Sequence, residues 1–320
     1  MKLHHFFYSI LIIVMLISGC SPSLESGTSP KIGLLLEGTI DDQGWNSKGY
    51  QGLLNIHANL NVEVAFKEDI DTEVKVEKAV TEFNEAGITL IFGHGRFFAE
   101  PFTNLGKVYE DVHFVSFNGH VEGNNVTSLH FDGYAMGFFA GMLASTMSGS
   151  EKVGIIAAFP WQSEVEGYYE GASLNPETDV TINYVEDWTN AEKAVTFFDD
   201  MIGKGVDVVY PAGDGYHVQV IEKAKEAGIF AIGYVGDQVD LGEATVLTST
   251  VQEVDKLYEK IAEQYSKGEL KEGNFVYDFQ DGVISLGNFG SEVPTKVRTQ
   301  LAEHIREYIQ TGDLPTSPIM

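Results

Sequence analysis

Apolar positions along this chain change their spacing repeatedly, from short unbroken runs to three-and-four periodicity and back. The run Ile32-Gly33-Leu34-Leu35-Leu36 predicts a first strand over 31–36. Trp45, Leu53, Leu54 and Ile56 then fall at helical spacing over 44–58, before a second strand at 62–66. A second helix over 73–86 ends at Gly87, the residue type suited to the left-handed position after a helix. Strands at 90–95, 113–117 and 127–131 close this first series.

The pattern then restarts. A very apolar helix over 134–147 carries the small residues Gly137, Ala140, Gly141 and Ala144, which permit close packing. Strands at 152–157, 180–185, 206–210 and 229–234 alternate with helices at 164–172, 191–202 and 216–227. A strand at 246–250, a helix at 254–267 and further elements after Phe275 follow. Alternation of this kind builds right-handed βαβ units, hence parallel sheets covered by helices on both faces. Two series predict two α/β lobes, each a parallel sheet flanked by helices. The expected division places 31–130 with about 246–280 in an N-terminal lobe, and 131–245 with about 281–320 in a C-terminal lobe.

The N-terminus changes the picture. An apolar stretch from Phe6 to Ile17 follows Lys2 and ends at Ser18-Gly19-Cys20, the chain's single cysteine. The stretch has the length of a signal-peptide core and is short for a spanning helix, which takes about 20 apolar residues. A small residue before the cysteine marks 1–20 as a lipoprotein signal peptide that leaves Cys20 lipidated. The Ser/Pro/Gly-rich stretch 21–30 reads as a flexible tether. The expected location is therefore the extracytoplasmic face of the cell membrane, anchored in the bilayer through Cys20. With no other thiol, disulfides and cysteine metal sites are excluded.

Formal net charge is −27, and loss of Lys2 with the signal makes it one unit more negative. A surface this acidic repels phosphate backbones, so nucleic acid is not an expected partner. No HExxH, GxSxG, GxGxxG or Walker spacing occurs, so no catalytic residue, metal or cofactor is assigned.

Ligands of parallel α/β sheets bind at the carboxyl ends of the strands. Three loops there carry notable chemistry. In the first, 39–46, Trp45 beside Asn46 suits stacking on a flat ligand while hydrogen-bonding it, and Asp42 either contacts ligand or caps the helix. In the second, 93–98, Phe97 is a cleft aromatic or a core residue. In the third, 211–216, Gly213 and Asp214 open a helix whose N–H groups receive a hydroxyl or carboxylate, or Asp214 simply caps it.

Gly38 to Asn46, 125–128 with Phe131 and 137–141, 206–213, 231–238 and 246–251 together resemble the basic membrane protein family of ABC-importer lipoproteins, over about 31–315. That resemblance implies a two-lobed periplasmic-binding-protein type I fold, a small-molecule ligand of purine-nucleoside type, and an ABC permease as partner. It implies that Trp45 stands where the family has a base-stacking Phe, Asn46 at the family's Asn, and Gly213 at the glycine of a ribose-facing turn. Asp237 matches the second Asp of the family's late-strand motif. Two positions depart: Val235 replaces its first Asp, and Gln252 stands in place of a Lys. Losing two charge-assisted bonds of about 1.5–3 kcal/mol each weakens a ribose site. The chain also resembles the competence regulators of bacilli within that family, and this resemblance implies the alternative expectation: a regulatory lipoprotein with a membrane partner, acting indirectly on competence-gene expression without transport or DNA contact.

Overall fold

A computed structural model describes residues 30–41 and 44–319. Cys20, the expected lipidation site, the expected signal segment, nearly all of the expected tether, and Asp42 lie outside the described residues. In chain order the first lobe contains β1 (Ile32–Leu36), α1 (Trp45–Leu60), β2 (Val64–Lys67), α2 (Glu73–Glu85), β3 (Leu90–His94), α3 (Ala99–Leu105), β4 (His113–Phe117) and β5 (Val126–Phe131). The chain then crosses to α4 (Gly133–Met147), β6 (Lys152–Ala157), α5 (Ser163–Ser173), β7 (Asp179–Tyr184), α6 (Ala191–Gly203), β8 (Val208–Ala212), α7 (His217–Ala227), β9 (Phe230–Val235) and β10 (Val246–Gln252). It returns for α8 (Val254–Ser266) and β11 (Gly273–Tyr277), and crosses again to β12 (Ile284–Leu286) and α9 (Thr295–Thr311).

Strand order is β11-β5-β4-β3-β1-β2 in one sheet and β12-β10-β9-β8-β6-β7 in the other. All pairs are parallel except β12 against β10. Two doubly wound lobes joined by three crossings are the type I binding-protein architecture expected from the sequence.

Each sheet is covered on both faces. Leu53 and Ile56 of α1 and Leu257 and Ile261 of α8 bury one face of the first sheet; Val76, Val80, Phe98 and Phe102 bury the other. In the second lobe α4, α5 and α9 cover one face, and α6 with α7 the other. Local signals set the helix starts: Asp132 accepts from the Tyr134 N–H to open α4, and Asn190 accepts from Lys193 to open α6.

One expected boundary is corrected. The strand at 246–252 belongs to the second sheet, not the first, lying parallel on β9 with every residue buried. A strand buried on both faces looks the same in either lobe, so its spacing carried no information about its sheet. The crossing falls after Gln252, and the late insertion into the first lobe is α8 and β11 alone; Phe279 already packs in the second lobe.

Candidate functional site

The carboxyl ends of β1 and β3 in one lobe face those of β6, β8 and β9 in the other. The N-terminus of α1 projects into this seam. Trp45, its first residue, is half-buried and packs against the apolar clusters of both lobes. The indole stacks on the His94 imidazole with centroids 4.1 Å apart, and meets Phe117 and Phe131 edge-on. Its Nε1–H donates to the His94 carbonyl at 3.3 Å. His94 Nε2 donates to the Trp45 carbonyl at 2.7 Å, which leaves Nδ1 to the Tyr258 hydroxyl at 2.9 Å. This is a braced aromatic wall in the seam. One indole face is already taken by a residue of its own lobe.

The other expected residues divide. Asn46 lies beside Trp45 on the same turn, half-buried, with its amide near Gly38. Asp214, from the turn after β8, reaches across the seam: its Oδ2 accepts from the Trp45 backbone N–H at 3.0 Å. Gly213 makes room for a tyrosine, since a Cβ there would sit 2.0 Å from the Tyr216 hydroxyl, which donates to the Ile156 carbonyl.

Phe97 follows the core alternative. It lies edge-on to Phe98 and packs with the cluster under α2 and α3, because successive residues of the tight turn Arg96–Phe98 point in different directions and Arg96 takes the seam. Asp237 is held within its own lobe, where its carboxylate accepts from the Asn288 N–H at 3.0 Å and the Asn288 side chain at 2.7 Å. Gln252 is buried at the end of β10, opposite Ile284 and just before the crossing. Val235 adopts φ 66°, which is unusual for a β-branched residue, and its side chain joins the second-lobe core. No group of three or more metal-ligating side chains is assembled among the described residues.

The second wall of the seam was not anticipated. After β6, Phe159 and Trp161 stack at 5.4 Å, and Trp188, after β7, meets both edge-on. Trp161 remains 54% exposed. The Arg96 guanidinium of the opposite lobe lies over its ring at 5.3 Å. The Phe159 loop is braced from below: Gln162 Oε1 accepts from the Phe159 N–H at 2.6 Å, while Gln162 Nε2 donates to the Ala212 carbonyl at 3.0 Å and to Glu164 at 2.8 Å. Glu164 is buried and also receives the Tyr234 hydroxyl at 3.0 Å; burial raises its pKa despite these donors. Aromatics within four residues of a strand end, Phe159 and Trp161 after Ala157 and Trp188 after Tyr184, were the available sequence signal for this wall.

Two braced aromatic clusters meeting at one seam offer π-faces of the kind that suit a flat, hydrogen-bonding small molecule. The Bmp family model, described as ABC transporter substrate-binding protein PnrA-like, matches residues 29–317. The chain is 47% identical to the transcriptional activator protein Med of Bacillus subtilis, over 96% of this chain and 97% of that one. It is 27% identical to a purine-binding protein of Brucella abortus, over 90% and 84%. A crystal structure described as a transcriptional activator of the comK gene from Bacillus halodurans superposes with TM-score 0.85 at 54% identity, covering 89% of this chain and 99% of that one.

Proposed function

The chain belongs to the Bmp family of PnrA-like ABC transporter substrate-binding proteins, and from that premise we propose that it is a lipid-anchored extracytoplasmic receptor, not an enzyme, whose lobes close on a ligand of purine-nucleoside type. The observation that carries this reading is the pair of aromatic walls: Trp45 on one side of the seam, and Phe159, Trp161 and Trp188 on the other. A purine offers two π-faces to such walls and an edge of donors and acceptors to Asn46 and the turn at Gly213. The purine-binding relative of Brucella abortus supports the ligand class. Closure is a hinge motion about the three crossings, and an ABC permease is the partner that takes the ligand from the closed form.

Thermal denaturation of residues 21–320 against nucleosides, free bases and small sugars tests this. A ligand at a hundred times its dissociation constant stabilises the folded state by about 2.7 kcal/mol. A purine nucleoside is expected to raise the melting temperature, and Trp45→Ala to abolish the rise. A flat response across the panel by well-folded protein would reject the receptor reading.

A second reading is favoured by two observations. Two relatives at about half identity are described as transcriptional activators, and the first-Asp position of the family motif is here Val235, turned into the core. On that reading the chain is a regulatory lipoprotein that acts on comK expression indirectly, through a membrane partner. A flat nucleoside panel together with co-purification of a membrane protein is its expected outcome.

A further inference from the structure

The seam between the lobes is held shut by side chains that each lobe lends to the other. The N-cap residue of α1 is Gly44, which has no side-chain acceptor to offer the first turn. The acceptor for the Trp45 N–H comes instead from the opposite lobe, as Asp214 Oδ2 at 3.0 Å. The glycine is required for this contact, because a Cβ on Gly44 would lie 2.1 Å from Asp214 Oδ1. A negative charge at this place also meets the positive end of the helix dipole.

The reciprocal arm runs the other way. Arg96 is one of only three arginines in a chain with 47 acidic residues. It forms no ion pair among the described residues and lies instead on Trp161 of the second lobe. Trp161 is fixed by Phe159 and Trp188, so the platform beneath the guanidinium is rigid. A third contact lies further along the seam, where the Lys48 stem passes Gly236, 3.4 Å from where a Cβ would stand.

We propose that Asp214 is a built-in occupant of the cleft. Seated on the N-terminus of α1 and aided by the Arg96–Trp161 clasp, it closes the lobes without a small molecule, and any ligand must displace it. This rests on the seam being the functional cleft and not on the identity of the ligand. The chain then discriminates by exchange: a ligand enters only if it brings its own acceptor to the α1 N–H groups. Apparent affinity is lowered in proportion to the fraction of molecules held in the self-closed form.

Hydrogen–deuterium exchange of the full-length chain in detergent micelles, with no ligand added, tests the proposal. In Asp214→Ala, exchange at 45–48, 157–163 and 211–217 is expected to accelerate together by at least tenfold. Amides of α2 and α9, remote from the seam, should keep the wild-type rate. Asp214→Asn retains an acceptor without the charge and should fall between wild type and Asp214→Ala. Arg96→Ala alters an exposed side chain and should accelerate 157–163 and 45–48 to a smaller degree. Wild-type exchange at 157–163 in Asp214→Ala, with only 45–48 faster, would reduce Asp214 to a local helix cap and overturn the proposal. Should Asp214→Ala unfold throughout, unchanged exchange in Arg96→Ala would overturn it equally. Because no nucleoside is present, failure here is distinct from failure of the receptor reading.

Discussion

Glu164 and His113 are titratable groups whose environments push them in opposite directions. Burial raises the Glu164 pKa above the ordinary carboxylate value. The unfolded chain therefore gives up this proton first as pH rises, and stability falls above about 4.5. Glu164→Gln should match wild type near pH 4 and melt progressively higher than wild type toward pH 8. Burial lowers His113 to about 4. Thr127 donates its hydroxyl to the Lys271 carbonyl and so accepts from His113 Nε2, a bond the neutral ring makes. The His113 contribution is complete above about 6.5 and is lost as pH falls toward 4. His113→Gln should flatten that acid limb in a melting-temperature titration. At this scale the sequence was partly legible. Trp45 announced itself by falling in a first helical turn, and the structure sets it in the seam. Phe97 and Asp237 could not be resolved from the chain alone, since the Asp237 partner is Asn288, 51 positions away. Trp161 and Trp188 lie in loops with no periodicity, and they gain meaning only from each other and from Arg96.

Helices α4 and α5 pack backbone to backbone through glycines on both sides. A Cβ on Gly137 would stand 2.0 Å from the Glu164 carbonyl oxygen, and one on Gly141 2.1 Å from that of Tyr168. Gly167 and Gly171 of α5 meet the Tyr134 and Phe138 carbonyls as closely. The neighbours are main chain, so nothing can swing aside. Gly141→Ala should lower stability at the upper end of the about 1–3 kcal/mol typical of overpacking. Gly203→Ala, on α6 with open space around it, should raise stability by about 0.4–1 kcal/mol. Denaturant midpoints of the two variants, moving in opposite directions, would check both. The small residues of α4 were visible in the sequence as a close-packing face. Their partner was not, because one helix's pattern says that something approaches and never what. The same limit misplaced β10: its existence was plain, its sheet was not.

The whole molecule is strongly acidic, and this decides what the activator relatives can mean for it. With a formal charge of −27, approach to a phosphate backbone is opposed throughout the physiological salt range. Purified protein is expected to leave DNA mobility unchanged in a gel-shift assay at moderate salt; tight, sequence-specific retardation would overturn the indirect reading of gene control. The two-lobe architecture was legible because alternation of strand and helix spacing survives any placement of loops. The closed seam was not, since it depends on how two independently legible halves meet. The three crossings have a further consequence, for biosynthesis. The edge of the first sheet is completed by β11, whose Gly273 pairs with Thr127 of β5, 146 positions earlier, and the second sheet waits for β12. Neither lobe is finished until almost the entire polypeptide has been made. Folding must then be a late event of high contact order, and a nonsense codon anywhere before β11 damages both lobes at once, leaving two unfinished sheet edges open to aggregation.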